Sequence, residues 1–199
     1  MTWRAATPVA RSLGRLWFPV TYSGPVLPAG PVVIAANHFS HLDPVVVSAA
    51  VRRTVRYLAV DELYGNSRVF DRLTTWLGAI PMTRTGIPLR PLRLALAELA
   101  AGGSVGLFPE GVRVWAWGEH EAKRGAAWLA RRAGVPLVPV AVSGSDLAMG
   151  RGASRISRAA IHVEICEPIL PGSFDCVSDP IGEMTLEWSA RIGASLTAH

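Results

Sequence analysis

The sequence has few residues of the kinds that build several other classes of protein. Only two cysteines occur among its 199 residues, too few for a disulfide-stabilised scaffold. Charged residues make up 18% and hydrophobic residues 50%, which excludes a disordered chain. Its apolar runs, such as residues 44–51 and 135–142, are far shorter than the ~20 residues that cross a bilayer. The sequence therefore predicts one packed domain without a transmembrane helix.

Motifs for nucleotide and nucleic-acid binding are also missing. The sequence has no P-loop, no G-x-G-x-x-G, and no pattern of an RNA-recognition motif, a helix-turn-helix or a zinc finger. We therefore expect no nucleic-acid partner and no nucleotide hydrolysis.

Lysine is almost absent, and arginine carries nearly all of the positive charge. Lys123 is the single lysine among 20 basic residues, which face 15 acidic ones. Residues 1–60 hold the whole surplus of +5, because their six arginines are opposed only by Asp43. A basic surface of this kind favours an anionic partner, although a solvated basic face would have the same composition.

The first 24 residues combine arginine with large apolar side chains. The segment contains Trp3, Arg4, Arg11, Leu13, Arg15, Leu16, Trp17 and Phe18. Its apolar block is too short for a signal peptide, and arginine interrupts it. Aromatic rings at the headgroup level with arginine toward lipid phosphate suit a segment lying on an anionic membrane. We expect residues 1–24 to be such a basic amphipathic segment; a helix packed on its own core is the alternative.

Strands and helices alternate in the predicted secondary structure. Apolar runs predict strands at 32–36, 55–60, 79–82, 105–108, 136–142 and 160–166, and helical spacing predicts helices at 44–53, 67–77, 89–101, 122–133 and 179–196. This alternation predicts an α/β fold: a single-domain sandwich with a largely parallel sheet flanked by helices. Sites in such sheets form where strands end and helices begin.

The first polar junction lies between a buried strand and a helix. His38 and Asp43 stand five positions apart across this turn, close enough to meet. The carboxylate would accept from one ring nitrogen, fix the tautomer and make the other nitrogen more basic. No serine completes a hydrolase triad here, so the activated hydroxyl would come from the substrate. A helix N-cap at Asp43 and a hydrogen-bonded loop histidine are the alternative interpretation.

Two further junctions place arginine at a predicted strand end. Glu110, Gly111 and Arg113 follow one strand, and Arg84 follows another. Arginine supplies a fork for phosphate, glycine allows close backbone approach, and the carboxylate binds a hydroxyl or holds the arginine. The residues predict an anion site, with a surface ion pair in a turn as the alternative.

Four blocks of the sequence resemble the conserved blocks of one protein family, and they occur in the same order along the chain. Residues 37–43 read NHFSHLD, residues 78–84 GAIPMTR, residues 108–113 FPEGVR, and KRGAA at 123–127 precedes VPLVPV at 135–140. Together they resemble the PlsC-type glycerolipid acyltransferases, the 1-acylglycerol-3-phosphate acyltransferases. The resemblance implies a glycerol-3-phosphate acyltransferase-like fold, with residues 25–199 as the acyltransferase domain.

The resemblance also implies a role for each matched residue. His38 would be the general base and Asp43 the carboxylate that orients it. The acceptor hydroxyl would then attack an acyl thioester directly, without an acyl-enzyme. Arg84, Glu110, Gly111 and Arg113 would bind the substrate phosphate, and Lys123 would contact the donor or the phosphate.

The implied protein is a peripheral enzyme on the cytoplasmic face of an anionic membrane. It would move a fatty acyl group from acyl-CoA or acyl carrier protein to a lysophospholipid, with 1-acylglycerol-3-phosphate as the first candidate and phosphatidic acid as product. No cofactor and no metal are expected. Another lysolipid acceptor, or a membrane-binding pseudoenzyme without turnover, remains as the alternative.

The sequence departs from the family pattern near the third block. Val112 stands where the family usually has threonine, and Ala122 where phenylalanine often precedes the lysine. Residues 114–120, VWAWGEH, form an unusually aromatic insert. This insert predicts either an acceptor loop that touches membrane or a packed flap.

Two other kinds of site fit the sequence less well. Residues 102–106 satisfy G-x-S-x-G, but Ser104 follows a predicted helix and precedes a strand, the reverse of a nucleophile elbow. Histidines and cysteines supply metal-ligand types, but no second pair stands at structural-zinc spacing.

Overall fold

The computed structural model describes residues 19–60, 80–82, 89–153 and 155–198. In these ranges the strands are β1 Val20–Ser23, β2 Val33–Ala36, β3 Val55–Val60, β4 Ile80–Met82, β5 Ser104–Leu107, β6 Leu137–Ser143 and β7 Ile161–Ile165. The helices are α1 Asp43–Val51, α2 Leu89–Ala100, α3 Gly125–Ala133, α4 Ser145–Met149 and α5 Pro180–Thr197, with a 3₁₀ helix at Pro171–Phe174.

The strands of the described residues form one sheet in the order β1-β7-β6-β2-β5-β3-β4. Strands β2 to β6 run parallel, whereas β7 is antiparallel to β6 and parallel to β1. The predicted α/β sandwich with a largely parallel, helix-flanked sheet is confirmed. β1 lies inside the range 1–24, so the boundary expected after residue 24 falls beyond the first strand of the sheet; residues 1–18 are outside the description.

The residues of the central strand β2 are all apolar because both faces of the strand are buried. Val33 and Ala35 pack into the layer formed by α2, α3 and α5, whereas Ile34 and Ala36 pack into the layer formed with α1. Successive side chains of a strand point to opposite faces, so a strand covered on both faces needs an unbroken apolar run. The chain that leaves β2 is therefore held rigidly at the middle of the sheet.

Most predicted elements agree with the structure to within a few residues. The helix expected from residue 122 begins instead at Gly125, because Lys123 N–H donates to Pro109 O at 2.8 Å and ties the chain to the turn after β5. β1, α4 and the 3₁₀ helix were not predicted. The helix predicted at 67–77 lies outside the described residues.

Trp188 of α5 joins this helix to the central strand. Its indole is buried, and Nε1 donates to Ala35 O at 2.9 Å. We expect Trp188→Phe to lower the free energy of unfolding by about 1–3 kcal/mol, because the donor is lost and a small cavity is left. Denaturant unfolding checks this, with Trp115→Phe at an exposed tryptophan as the control. Equal stability of the two variants would contradict the assignment.

Candidate active site

The polar loop that leaves β2 begins with an asparagine that extends the sheet. Asn37 Nδ2 donates to Val142 O at 2.8 Å, and Val142 N–H donates to Asn37 Oδ1 at 2.7 Å. The buried amide therefore replaces a backbone ladder pair beyond the end of the strand. This pairing sets where the next residue, His38, leaves the sheet.

Asp43 organises the loop through a single carboxylate oxygen. Its Oδ2 accepts from Phe39 N–H at 2.8 Å, from Ser40 N–H at 2.7 Å and from His38 Nδ1 at 2.9 Å. The carboxylate is fully buried and makes no cap bond to α1, which begins at Asp43 itself. The structure thus places it as the partner of His38 rather than as an N-cap. With Nδ1 donating to the carboxylate, Nε2 is left as the proton acceptor.

An aromatic stack fixes the plane of the His38 ring. The ring lies 4.0 Å from the Phe108 ring, centroid to centroid, at an interplanar angle of 19°. Phe108 in turn stacks on Tyr57 at 5.6 Å. Gly106 makes room for this arrangement, since a methyl group there would lie 2.4 Å from the Tyr57 ring. Gly106 therefore acts on His38 indirectly: it leaves space for the Tyr57 ring, which packs on Phe108, and Phe108 packs on His38.

Residues in and just after the 108–113 block form hydrogen bonds with both backbone groups of His38. His38 N–H donates to Glu110 Oε1 at 3.4 Å, and Val114 N–H donates to His38 O at 2.9 Å. The loop after β2 and the loop after β5 therefore form one unit at the carboxyl ends of neighbouring strands.

Glu110 lies under His38 as a buried carboxyl group. Burial raises its pKa to about 7, opposed by the hydrogen bond from the His38 backbone. Within the described residues its Oε2 has no hydrogen-bond partner. Its contact with substrate phosphate stays a prediction; the geometry shows a carboxyl group that accepts a hydrogen bond from the backbone of the loop after β2.

Arg113 and His41 both interact electrostatically with the His38–Asp43 region. Burial lowers the pKa of Arg113, as does the charge of Arg151, whereas Asp43 raises it. Burial and the charge of Arg113 lower the pKa of His41 to about 4, so this imidazole is neutral at neutral pH. Arg113 therefore interacts electrostatically with Asp43, and its role in phosphate binding stays a prediction. Arg84 lies outside the described residues.

Gly111 and Lys123 meet although they are distant in sequence. Gly111 has φ +73°, a left-handed conformation that favours glycine. A methyl group there would lie 2.5 Å from Lys123 Nζ, so the lysine side chain lies over the glycine. The turn after β5 thus carries a cation beside it, and the role of that cation in donor or phosphate binding stays a prediction.

The aromatic insert divides into a buried and an exposed part. Trp117 packs edge-on against Trp188 at 5.5 Å, whereas Trp115 is 65% exposed. The packed flap is therefore confirmed at Trp117, and Trp115 stays free to make a contact outside the domain.

Three other candidate features are a serine nucleophile at Ser104, a metal site and a membrane-spanning helix. Ser104 is buried at the start of β5 rather than between a strand and a helix. Across the ranges that the structure describes, no three histidine, cysteine, aspartate or glutamate residues group as metal ligands. No helix in the same ranges is long and apolar enough to span a membrane.

Comparison with known families decides the classification. The family model described as Acyltransferase matches residues 19–143, which contain both strand-end loops. The chain belongs to this acyltransferase family. The resemblance found in the four sequence blocks is therefore confirmed.

Curated relatives match this chain over part of its length. A probable 1-acyl-sn-glycerol-3-phosphate acyltransferase of Mycoplasma genitalium is 31% identical over 135 residues, 63% of this chain and 49% of the relative. The chloroplastic 1-acyl-sn-glycerol-3-phosphate acyltransferase BAT2 of Brassica napus is 26% identical over 152 residues, 75% of this chain and 44% of the relative. The matches thus span about half the length of these relatives.

A solved structure shares the fold of this chain. The 1-acyl-sn-glycerophosphate acyltransferase PlsC of Thermotoga maritima superposes with a TM-score of 0.78 at 22% identity. The match covers 98% of this chain and 82% of the other. At this identity the likeness concerns the fold.

Sequence reasoning missed three supporting residues of the site. Asn37 and Phe108 lie inside the matched blocks but received no role, and Ser40 Oγ anchors the loop by donating to Met149 O at 2.7 Å. A polar residue directly after a buried strand was the available signal for Asn37. Nothing in the sequence indicated that Ser40 would meet residue 149.

The raised pKa of Glu110 predicts a pH dependence of stability. The folded state binds this proton more tightly than the unfolded state, so the associated stability is present below pH ~4.5 and is lost as pH rises through about 7. Relative to Glu110→Gln, the wild type should lose up to about 3 kcal/mol over this range. Urea unfolding at several pH values measures the difference. The exposed Glu121→Gln serves as control, and a flat difference for Glu110→Gln would contradict the prediction.

Proposed function

We propose that the chain transfers a fatty acyl group from an acyl thioester to the free hydroxyl of a lysophospholipid. The observation that carries this proposal is the His38 Nδ1 to Asp43 Oδ2 contact of 2.9 Å, in which a buried carboxylate at the start of α1 meets a histidine that follows the central strand. The first candidate acceptor is 1-acylglycerol-3-phosphate, giving phosphatidic acid. The names of the Mycoplasma and Brassica relatives support this choice.

In the proposed reaction His38 acts as general base. Nε2 takes the proton of the acceptor hydroxyl as its oxygen attacks the thioester carbonyl carbon. Asp43 keeps the ring oriented and stabilises the imidazolium that forms. The tetrahedral intermediate then expels the thiolate as the carbon–sulfur bond breaks, and the imidazolium returns its proton to that sulfur. The products are an ester and a free thiol.

The proposal uses direct attack by the substrate hydroxyl rather than an acyl-enzyme. The hydroxyl of Ser40, the serine of the same loop, is buried and donates to Met149 O. That structural bond makes Ser40 a poor candidate for a nucleophile.

The proposed phosphate site uses the cations around this pair. Arg113 is placed by the loop after β5, with Gly111 and Lys123 beside it. Arg84 and Glu110 complete the set expected from the family blocks. Another lysolipid acceptor is the alternative, and the donor is acyl-CoA or acyl carrier protein.

The proposed setting is the cytoplasmic face of an anionic membrane, with residues 1–18 of the predicted basic segment as a peripheral anchor, since Val20–Ser23 form β1. The proposal needs no cofactor beyond the thioester. A histidine oriented by a buried carboxylate favours an enzyme over a pseudoenzyme, because general-base catalysis uses this arrangement.

Thiol release from a long-chain acyl-CoA, with and without lysophosphatidate, tests the base. We expect acceptor-dependent release that falls by about 10²–10⁴ in His38→Ala and by at least about a hundredfold in Asp43→Asn. His162→Ala is the control, because that ring bonds Thr21 and Ser23 at the sheet edge. Release that survives in His38→Ala would refute the mechanism. No release by the wild type with this pair would favour another acceptor or the pseudoenzyme.

Arg113→Gln tests the phosphate site separately from the chemistry. We expect the KM for lysophosphatidate to rise at least about tenfold, a loss of ~1.4 kcal/mol, with little change for the donor or for a monoacylglycerol acceptor. Arg132→Gln, an exposed arginine of α3, is the matched control. Equal losses for donor and acceptor would show that Arg113 is not the phosphate ligand.

A further inference from the structure

Three large apolar side chains are exposed around the loop that follows β6. Leu147 of α4 is 70% exposed, Trp115 of the aromatic insert 65% and Ile156 52%. Single exposed apolar side chains are common, but neighbouring ones indicate a contact surface.

Backbone contacts bring these residues into one region. Ser157 N–H donates to Ala148 O at 2.8 Å, which places Ile156 next to the turn that carries Leu147. Arg151 lies over the Trp115 ring with its Cζ 5.6 Å from the centroid. The apolar side chains therefore belong to one surface rather than to separate loops.

The same surface is rich in arginine. Arg151, Arg155 and Arg158 are exposed along residues 145–158, which contain only Asp146 as an acid. Arg151 also pairs with Glu119 at 3.4 Å, which holds it beside Trp115. Apolar side chains between arginines suit the interface of an anionic bilayer, where the rings and aliphatic groups enter the headgroup region and guanidinium groups meet lipid phosphate.

This surface adjoins the candidate active site. Ser40 and Gly150 form an isolated β-bridge, and Ser40 Oγ donates to Met149 O. Val114 N–H donates to His38 O, so Trp115 follows directly from a residue bonded to the proposed base. A lipid surface that met Trp115 and Arg151 would lie at the mouth of the His38 site.

We propose that Trp115, Leu147 and Ile156, with Arg151, Arg155 and Arg158, form a docking face for anionic membrane. The face acts in addition to the anchor proposed for residues 1–18. It orients the domain so that a lysolipid enters the site from the bilayer without passing through water. That last consequence rests on the proposed function; the binding itself does not.

A pair of matched double variants tests the apolar part of the docking face. The probe is sedimentation of the full chain with vesicles of phosphatidylcholine, alone or with phosphatidylglycerol. We expect Leu147→Ser with Ile156→Ser to lower binding to the anionic vesicles at least about tenfold. Leu170→Ser with Leu186→Ser, at residues 54% and 64% exposed elsewhere, should leave binding unchanged. Equal losses in both pairs, or none in the first, would overturn the proposal.

Arginine variants test the charge of the docking face. Arg155→Gln with Arg158→Gln should reduce the preference for anionic over neutral vesicles, and added salt should reproduce the effect. Arg90→Gln with Arg132→Gln removes the same charge from α2 and α3 and should not. A preference equally weakened by both pairs would show general attraction of a basic protein and overturn the docking face. If the wild type bound no vesicles, the docking-face proposal would also be overturned, and a protein partner would be favoured.

Rates of acyl transfer with two forms of the acceptor distinguish the docking face from the proposed function. With a short-chain lysophosphatidate below its micelle concentration, the Leu147 and Ile156 double variant should keep the wild-type rate. With acceptor embedded in vesicles its rate should fall in step with binding. Equal rates of variant and wild type on vesicles would overturn the docking face even if the enzyme is active. Loss of binding in a chain without turnover would support the face and count only against the proposed function.

Discussion

The buried carboxylate of Asp43 is the interaction on which the site depends. One oxygen accepts two backbone N–H groups of the preceding loop together with Nδ1 of His38. A buried carboxylate needs such donors, because removing it from water without them costs several kcal/mol. The loop therefore folds around the charge, and the position of the histidine follows from the same hydrogen bonds that make the charge tolerable.

The sheet supplies the rigid frame for this loop. Asn37 continues the pairing of β2 with β6, and Phe108 of the neighbouring strand end stacks on the His38 ring. Gly106 leaves the space in which Tyr57 supports Phe108. A ring held by packing on one face and by a carboxylate at one edge has little freedom, which is what proton transfer from a positioned hydroxyl requires.

Charge and exposure are arranged differently on the two sides of the site. On the interior side, the buried Asp43 carboxylate lies near Glu110, whose pKa burial raises to about 7. On the other side, Arg113 and Arg151 interact electrostatically, and the exposed Trp115 lies against Arg151. Exposed arginine beside an apolar ring suits the phosphorylated amphiphile that is proposed as the acceptor.

The sequence by itself determined the alternation of strands and helices, the family and the His38–Asp43 pair. Each depends on local periodicity or on a spacing of a few residues, which short-range geometry fixes. Only the tertiary structure decided that Glu110 braces the His38 backbone, that Ser40 bonds to residue 149, and that Trp117 is packed while Trp115 is exposed. These outcomes join segments dozens of residues apart, and their register depends on how the parallel strands order themselves in the sheet, which no local pattern encodes.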